Sequence, residues 1–538
     1  MNRAGITMFG IKARKLVANL VSLVRRKTLE IRFNSIANRK NLMAEKVMKF
    51  WIEKTPDKMY GKTLEERLNS IANRNNLMAE KAMEFWIEKG PDKMNGGFYS
   101  IINEDGTPQQ DTKFIIQQIR YLWTCSMWYS KRDSSEKVEK ICHDLYDFII
   151  SSFRNPQTGD FYFSVNSNGT FIENTDRLSY ADAFIIYGLS EYADVFNNQE
   201  SLQFALDVFQ QINARAYDYA NKGYDQTRDD RIFTPLGEKD TNTHLHILEA
   251  FARLYQVSQK EEVGAKLNEL IDVFINKIIQ NENYCSQYFL NDWTPYPNDN
   301  NSSYGHDLEA VWLLIEAAKT LNRNEESAFE KKVIDMGKRS ALEGYDKLFG
   351  VYNNLGTITD KVVDGTKIWW VQFEAMEGLW NLYSHTRDTQ YLSNIESILD
   401  WLENEQLNER TNEWYQKVDY YGNLGSNRNM ADEWKTNYHA LRGLVNTANW
   451  VNEFLKVNFL KIDVLKEGEG IVTIDPAMDS YSKGSLVTLY SEPLEGFRFS
   501  HWSGDVTGSS NTLEIEIQKD IFIQANFKAI EEKDFSEK

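Results

Sequence analysis

The sequence predicts an all-α (α/α)6 barrel followed by a small all-β domain. Three observations lead to this prediction. Segments with apolar residues at helical spacing follow one another from about residue 68 to residue 455. The connections between them alternate between short ones and longer ones that are rich in aromatic, glycine and asparagine residues. After about residue 457 the pattern changes to short alternating strands punctuated by glycine.

Twelve segments carry the helical pattern, and their order defines six helical hairpins. Short connections follow the even-numbered segments, and mostly long ones follow the odd-numbered segments, so the long loops are expected to collect on one rim. The predicted helices span 68–89, 111–130, 135–153, 179–196, 199–216, 242–256, 260–279, 304–322, 326–343, 367–385, 388–403 and 433–455.

Polar motifs fall near the N-terminal ends of the even-numbered segments. His306 and Glu309 are three residues apart and share one face of a helix that Ser302 or Ser303 can cap. Asn242 and His246 lie along one stripe of another helix. A histidine beside a carboxylate suits acid–base chemistry, although ordinary packing explains any one such residue equally well. If the even-numbered helices form the inner ring, these groups all point into one bore.

Composition excludes several classes of protein. The chain has 538 residues, 42% of them hydrophobic, which is enough for one large domain and one or two small ones. A net charge of −18 argues against a nucleic-acid partner, and no apolar run approaches the ~20 residues of a membrane span. Cys125, Cys142 and Cys285 are too scattered for a disulfide framework or a zinc set.

The N-terminal region contains a duplication. Residues 34–59 and 69–94 are near copies, and only the second runs on into the barrel, so it is expected to supply the first outer helix. Two copies are too few for a solenoid, and a tandem duplication is the simpler explanation. The predicted domains are an extension over 1–63, the barrel over 64–456, the β domain over 457–529 and a charged tail over 530–538.

Six ordered motifs resemble those of the N-acylglucosamine 2-epimerase superfamily, and most closely its cellobiose 2-epimerase branch. The resemblance covers roughly residues 68–455. The motifs are Gly96-Gly-Phe-Tyr, Arg120-Tyr-Leu-Trp-Thr-Cys-Ser, Asn242-Thr-His-Leu-His-Ile-Leu-Glu, Ser303-Tyr-Gly-His-Asp-Leu-Glu, Trp369-Trp-Val-Gln-Phe-Glu and Trp434-Lys-Thr-Asn-Tyr-His.

This resemblance implies an enzyme that inverts C2 at the reducing end of a sugar, such as the β-1,4-linked disaccharide cellobiose, without a cofactor or metal. It implies His306 and His439 as the acid–base pair and His246 as a third active-site histidine. Which of Trp369 and Trp370 faces the bore stays open. The implied sugar contacts and aromatic walls are Arg120, Tyr180, Asn242, Glu309, Trp370 and Trp434.

Two histidines on opposite faces of the substrate suit this chemistry. A hydrogen next to the aldehyde of an opened sugar can be removed because the resulting anion spreads into an enediolate. A histidine acts as base or acid near neutral pH, so one can remove the proton and the other can return one to the opposite face. In this interpretation Glu309 orients His306, Arg120 stabilises the enediolate oxygen and His246 assists ring opening.

Other interpretations remain open. An aldose–ketose isomerase or an N-acylglucosamine 2-epimerase on the same fold shares the enediolate, and a non-catalytic carbohydrate-binding surface protein is a different class. The expected partner is a small-molecule sugar, and the oligomeric state is open. The C-terminal segment contains Tyr481-Ser-Lys-Gly-Ser-Leu-Val, Gly496-Phe-Arg-Phe-Ser-His-Trp-Ser-Gly-Asp and Ala525-Asn-Phe. With these motifs it resembles InlB B-repeat-like domains of surface proteins, which hints at export. The N-terminus is only faintly like a signal peptide, so a cytoplasmic protein is expected.

Overall fold

The computed structural model describes residues 62–172, 178–226, 238–297, 300–323, 327–357, 362–478 and 480–530. The first copy of the duplicated segment and the charged tail therefore lie outside the described residues. The described chain forms two compact units. The first unit is Phe85–Tyr438, and the second unit combines Lys62–Glu84 with the chain from residue 439 onward.

Twelve helices occur in the described ranges, at the positions that the sequence pattern predicts. The main differences are the later starts of α2 and α12. Residues 113–114 form a strand instead of the first turn of α2, and a turn at Asp432 precedes α12. No helix in these ranges is long and apolar enough to cross a membrane. The bounds are α1 Leu64–Lys89, α2 Ile115–Lys131, α3 Glu136–Phe153, α4 Ser179–Val195, α5 Gln199–Arg215, α6 Thr241–Ser258, α7 Glu261–Val273 (continued by a π-helical turn, Phe274–Ile278), α8 Tyr304–Thr320, α9 Ser327–Glu343, α10 Trp369–Thr386, α11 Gln390–Asn404 and α12 Tyr438–Asn458.

The even-numbered helices form the inner layer of the first unit. Helices α2, α4, α6, α8 and α10 pack side by side in that order, and each packs against the odd-numbered helix that follows it. Burial agrees, because every residue of α2 from Ile115 to Trp128 is buried. An outer helix such as α5 buries a single stripe. This layering confirms the predicted (α/α)6 barrel class. The buried residues of α5 are Ser201, Ala205, Val208, Phe209 and Ile212.

Short antiparallel strands tie the loops together where the inner helices begin. Four inner helices (α2, α6, α8 and α10) follow directly on such a strand, so the loops form a layer at this rim. The pairs are Ile101–Ile102 with Pro108–Gln109, Lys113–Phe114 with Ser164–Val165, Lys239–Asp240 with Tyr288–Phe289, Asn301–Ser303 with Leu355–Thr357, Tyr345–Asp346 with Val351–Tyr352, Lys367–Ile368 with Lys417–Val418, and Leu407–Asn408 with Glu413–Trp414.

The second unit ends in the predicted small β domain. One sheet has the order β2–β8–β6, with β2 parallel to β8, and the other has the antiparallel order β3–β5–β7. The strands β1 and β4 form a separate antiparallel pair. The bounds are β1 Phe459–Leu460, β2 Ile462–Glu467, β3 Gly470–Asp475, β4 Tyr481–Ser482, β5 Leu486–Pro493, β6 Phe497–Gly504, β7 Thr512–Glu516 and β8 Ile521–Ala529.

The alternating sequence pattern predicts strands at 461–465, 470–474, 485–489 and 513–517. It thus identifies β2, β3, β5 and β7 but not the long strands β6 and β8. In β6 the register shifts between Phe499 and His501, which breaks the alternation of apolar and polar residues. β8 is the central strand of its sheet and carries consecutive buried residues near its end. Both strands contribute to one core, in which Trp502 and Phe527 are among the buried side chains.

Candidate functional site

Except for Trp434, which lies in the turn before α12, the predicted site residues of the first unit lie within the first six residues of their inner helices. Ser303 caps α8 by accepting a hydrogen bond from the backbone nitrogen of His306, as the capping pattern predicts. Asp240 caps α6 in the same way. The site therefore forms at the rim where the inner helices begin, and where helix dipoles favour negative charge.

Arg120 is held as a buried cation among aromatic rings. One guanidinium nitrogen donates to the hydroxyl of Tyr180 at 2.5 Å, and the other donates to the carbonyl of Trp434 at 3.2 Å. The guanidinium carbon lies 4.1 Å from the ring centroid of Phe184. Burial raises the pKa of Tyr180 although Arg120 opposes the shift, so the phenol stays protonated. Within the described residues, Nε of Arg120 has no hydrogen-bond partner.

His246 belongs to a three-residue hydrogen-bonded chain. Its Nδ1 lies 3.0 Å from Oε2 of Glu249, and Oε1 of Glu249 accepts a hydrogen bond from the hydroxyl of Tyr438 at 2.6 Å. All three side chains are buried. A carboxylate at Nδ1 favours the tautomer that carries the proton there, which makes Nε2 the nitrogen that accepts protons. The ring also packs edge-on against Tyr180.

His306 is oriented by a glutamine from a neighbouring loop. Its Nδ1 lies 2.7 Å from Oε1 of Gln287, whose amide nitrogen donates to the carbonyl of Cys285 at 2.9 Å. Since the amide nitrogen is used in this way, Oε1 accepts from Nδ1–H, and Nε2 is the basic nitrogen. Burial lowers the pKa of His306 to about 4, and His246 adds to this shift while Glu374 opposes it. His306 is therefore neutral at pH 7.

The structure resolves which tryptophan faces His306. The ring of Trp370 lies 5.0 Å from the imidazole of His306, at an interplanar angle of 30°. A Cβ atom at Gly305 would lie 2.6 Å from the Trp370 ring, so this glycine permits the close approach. Trp369 is buried instead. The indole of Trp434 is 47% exposed, and its carbonyl is the group that contacts Arg120.

Two buried carboxylates lie together on neighbouring helices. Carboxylate oxygens of Glu309 on α8 and Glu374 on α10 are within 4.8 Å of each other. Glu374 Oε2 also accepts a hydrogen bond from the indole nitrogen of Trp312 at 3.1 Å. Two carboxylates this close create a negative potential that stabilises a nearby imidazolium.

Tyr180 connects several of the predicted site residues. Arg120 and Glu309 both shift its pKa by their charges, and its ring packs against His246. Asn242 contacts Tyr180 through a side-chain hydrogen bond. The charge of Glu374 likewise shifts the pKa of His306.

His439 is buried in the first turn of α12, at the start of the second unit.

Four further residues escaped the sequence reasoning. Glu374 and Tyr438 belong to two of the six sequence motifs, and this membership is the sequence signal that could have identified them. Trp312 lies six residues after His306 on α8, and its burial in the inner helix gave no hint of a contact with a carboxylate. Gln287 lies in a loop without any periodic pattern, and nothing in the sequence marks it.

The layering defines an (α/α)6 barrel whose inner helices present a cluster of histidines and other polar side chains at one rim. Comparison with known families identifies the class of protein, because the family model for N-acylglucosamine 2-epimerase matches residues 96–443. The chain belongs to the N-acylglucosamine 2-epimerase family and is an enzyme of the carbohydrate epimerase class. The model of the divergent InlB B-repeat domain matches residues 460–531, in agreement with the β strands there.

The curated relatives of this chain include five that carry the name cellobiose 2-epimerase. The one from Bacteroides fragilis is 32% identical over 360 residues, which is 64% of this chain and 90% of the relative. The one from Dictyoglomus turgidum is 30% identical over 358 residues, with the same coverage of 64% and 90%. The solved structure of cellobiose 2-epimerase from Bacillus thermoamylovorans superposes with a TM-score of 0.66 at 28% identity, covering 71% of this chain and 99% of that one.

Proposed function

We propose that this enzyme interconverts the gluco and manno configurations at C2 of a reducing-end sugar, through an enediolate. The expected substrate is a β-1,4-linked disaccharide such as cellobiose, in keeping with the names of the five curated relatives. The observation that carries the proposal is His306, a neutral imidazole whose tautomer Gln287 sets and whose ring packs on Trp370.

His306 serves as one acid–base group, and its environment suits removal of a proton from C2. A low pKa keeps Nε2 unprotonated at neutral pH, so the base is ready in every enzyme molecule. Once His306 takes the proton, the carboxylate of Glu374, which already opposes the lowering of the His306 pKa, stabilises the imidazolium. Trp370 provides an apolar face for a sugar ring beside this base.

The other groups have separate roles in the proposal. His439 is the second acid–base group, which returns a proton to the opposite face of C2. Arg120 stabilises the negative charge that develops on the enediolate oxygen, and its unpaired buried Nε is available for a substrate hydroxyl. His246, oriented by Glu249, moves the proton that opens the sugar ring.

Product analysis tests this function. Incubation with cellobiose, mannobiose, mannose and N-acetylmannosamine, followed by NMR of the products, should give the C2 epimer of a disaccharide fastest. A ketose product would instead favour an aldose–ketose isomerase, and preference for N-acetylmannosamine would favour an N-acylglucosamine 2-epimerase. Binding without turnover of any of the four sugars would favour a carbohydrate-binding protein.

The variant His306→Ala should lose about 10²–10⁴-fold in kcat while its helical content stays intact. The matched control is His385→Ala, because that imidazole lies at the far end of α10, where its Nδ1 lies 2.8 Å from the carbonyl of Asn381. Near-normal turnover in His306→Ala would contradict the assignment of His306.

A further inference from the structure

Among the described residues, three buried lysines occupy the same position, two residues before an inner helix. Lys113, Lys239 and Lys367 are each 0–1% exposed and stand two residues before the first residue of α2, α6 and α10. Each ammonium donates to an aspartate 21 residues earlier in the chain. The distances are 2.8 Å to Asp92, 2.8 Å to Asp218 and 2.7 Å to Asp346. These three Lys–Asp pairs are called the lysine clamps below.

The clamps are parts of a larger repeated unit. Each aspartate is the third residue after the end of an outer helix, namely α1, α5 or α9. Five residues after each lysine, a side chain of the inner helix binds the backbone of the residue six positions after the aspartate. These contacts join Gln118 to Phe98, His244 to Tyr224 and Gln372 to Tyr352.

The clamp lysines are 126 and 128 residues apart, which is the length of two helical hairpins. The residues seven positions after them are site residues in all three copies. They are Arg120, His246 and Glu374, and all are buried. A helix is rigid, so a clamp that fixes the first turn of an inner helix also fixes the second turn. It thereby sets the position along the bore of the side chain in that second turn.

A buried ion pair is not required for stability alone. Replacing such a pair by uncharged groups is often neutral for stability, whereas removing one partner leaves an unpaired buried charge. The recurrence of the same pair at the same register, each time before a site residue, therefore indicates a constraint on position. We propose that Lys113, Lys239 and Lys367 are positioning residues that set the depth of Arg120, His246 and Glu374 in the site.

The Lys113 clamp offers the sharpest test, because Asp92 also accepts backbone hydrogen bonds from Met94 and Asn95. The change Asp92→Asn keeps that turn and removes the charge. The single variant Lys113→Met should lose thermal stability and activity together. The double variant Lys113→Met/Asp92→Asn should regain most of the stability, while kcat stays at least 10-fold below wild type and KM changes by less than about 3-fold.

Coupling to Arg120 provides the readout that a merely structural role would not move. When the double variant is combined with Arg120→Lys, the loss in kcat should be clearly smaller than the product of the two separate losses. The reason is that both changes act through the same guanidinium. The matched control is Lys140→Met/Asp144→Asn, an exposed ion pair on α3, which should leave kcat unchanged. Recovery of kcat in step with stability, or fully multiplicative losses, would overturn the proposal.

The kinetic readout rests on the proposed function, so a second readout is independent of it. Crystal structures of wild type and of the double variant are compared. In the double variant the Arg120 guanidinium should be displaced from the hydroxyl of Tyr180. An unmoved guanidinium would overturn the proposal whatever the enzyme's substrate. Absence of wild-type turnover with every sugar tested would contradict the proposed function and leave this structural comparison to decide on the clamp.

Discussion

Gln287 accepts a hydrogen bond from Nδ1 of His306 at 2.7 Å, and its amide nitrogen is committed to the carbonyl of Cys285. This arrangement decides which nitrogen of the imidazole is the base. It also leaves the ring without a carboxylate at Nδ1, in contrast to His246, which has Glu249 there. The two histidines therefore differ in the group that binds Nδ1, and burial keeps His306 neutral at pH 7.

The variant Gln287→Glu should change the pH profile of the enzyme. A carboxylate at Nδ1 stabilises the imidazolium, so the pKa of His306 should rise from its value of about 4. The acid limb of kcat/KM should then move to higher pH, because the base becomes protonated earlier on acidification. The measurement is kcat/KM between pH 4 and 9. The control is Gln280→Glu, because among the described residues the amide of Gln280 binds only the carbonyls of Lys277 and Ile278. An acid limb that stays in place, or one that moves equally in this control, would contradict this role for Gln287.

The chain from His246 through Glu249 to Tyr438 predicts a graded effect. Glu249→Gln removes a charged hydrogen-bond partner, worth roughly 1.5–3 kcal/mol, so kcat should fall about 10- to 150-fold. Tyr438→Phe removes a neutral donor, worth about 0.5–1.5 kcal/mol, and should cost about 2- to 10-fold.

A control pair for this chain lies away from the site, where the hydroxyl of Tyr146 donates to Glu200 at 3.5 Å. Tyr146→Phe and Glu200→Gln should leave kcat unchanged. Equal losses for Glu249→Gln and Tyr438→Phe, or none at all, would show that the chain does not tune His246.

The two adjacent tryptophans should respond in opposite ways. Trp370→Phe weakens the contact with His306 and should lower kcat/KM by about 2- to 10-fold with little change in Tm, since an aromatic pair contributes about 0.5–1.5 kcal/mol. Trp369→Phe should mainly lower Tm, because that side chain is buried in the core. Kinetics and thermal melts of both variants decide the matter, and the reverse pattern would contradict the placement of Trp370 at the site.

Asp240, the cap of α6, predicts a pH-dependent stability. Burial raises its pKa from 3.8 to about 6, so between these values the folded protein holds a proton that the unfolded chain releases. Stability from this group is complete below about pH 4 and is lost as the pH rises through about 6, by up to roughly 2–3 kcal/mol.

The variant Asp240→Asn keeps a good cap without the buried charge. It should be more stable than wild type at pH 8, by up to roughly 2–3 kcal/mol, and indistinguishable from it near pH 4. Thermal melts at the two pH values measure this difference. The exposed Asp388→Asn, whose side chain caps a turn, should show no such dependence. A gain that is the same at both pH values would contradict the shift.

Much of the fold follows from local pattern, because inner and outer helices bury different fractions of their surface and so differ in sequence. The start of α8 illustrates this, since the serine cap and the pair of His306 and Glu309 are visible in ten residues. The lysine clamps could not be predicted in this way. Lys113 and Asp92 are 21 residues apart on a strand and a turn, and only the closed hairpin brings them together. The role of Gln287 could not be predicted for the same reason, because only the folded chain brings it to His306.

His244 is a residue to which the sequence pattern assigns no role, although the structure shows it in two hydrogen-bonding contacts. It shares a motif with His246 but points away from its stripe. In the structure it is buried, its Nε2 accepts a hydrogen bond from the backbone of Tyr224, and its Nδ1 lies 2.7 Å from the carbonyl of Asp240. The contact with Tyr224 has no sequence signature, since it depends on how the preceding loop folds back over α6.

The most direct test of the central claim is the fate of the proton at C2. Cellobiose is incubated with the enzyme in D₂O, and the product formed early in the reaction is analysed by NMR. Removal and return of a proton through an enediolate predicts an epimeric product with deuterium at C2 and none at C1. A ketose product with deuterium at C1, or an epimer without deuterium, would contradict the account.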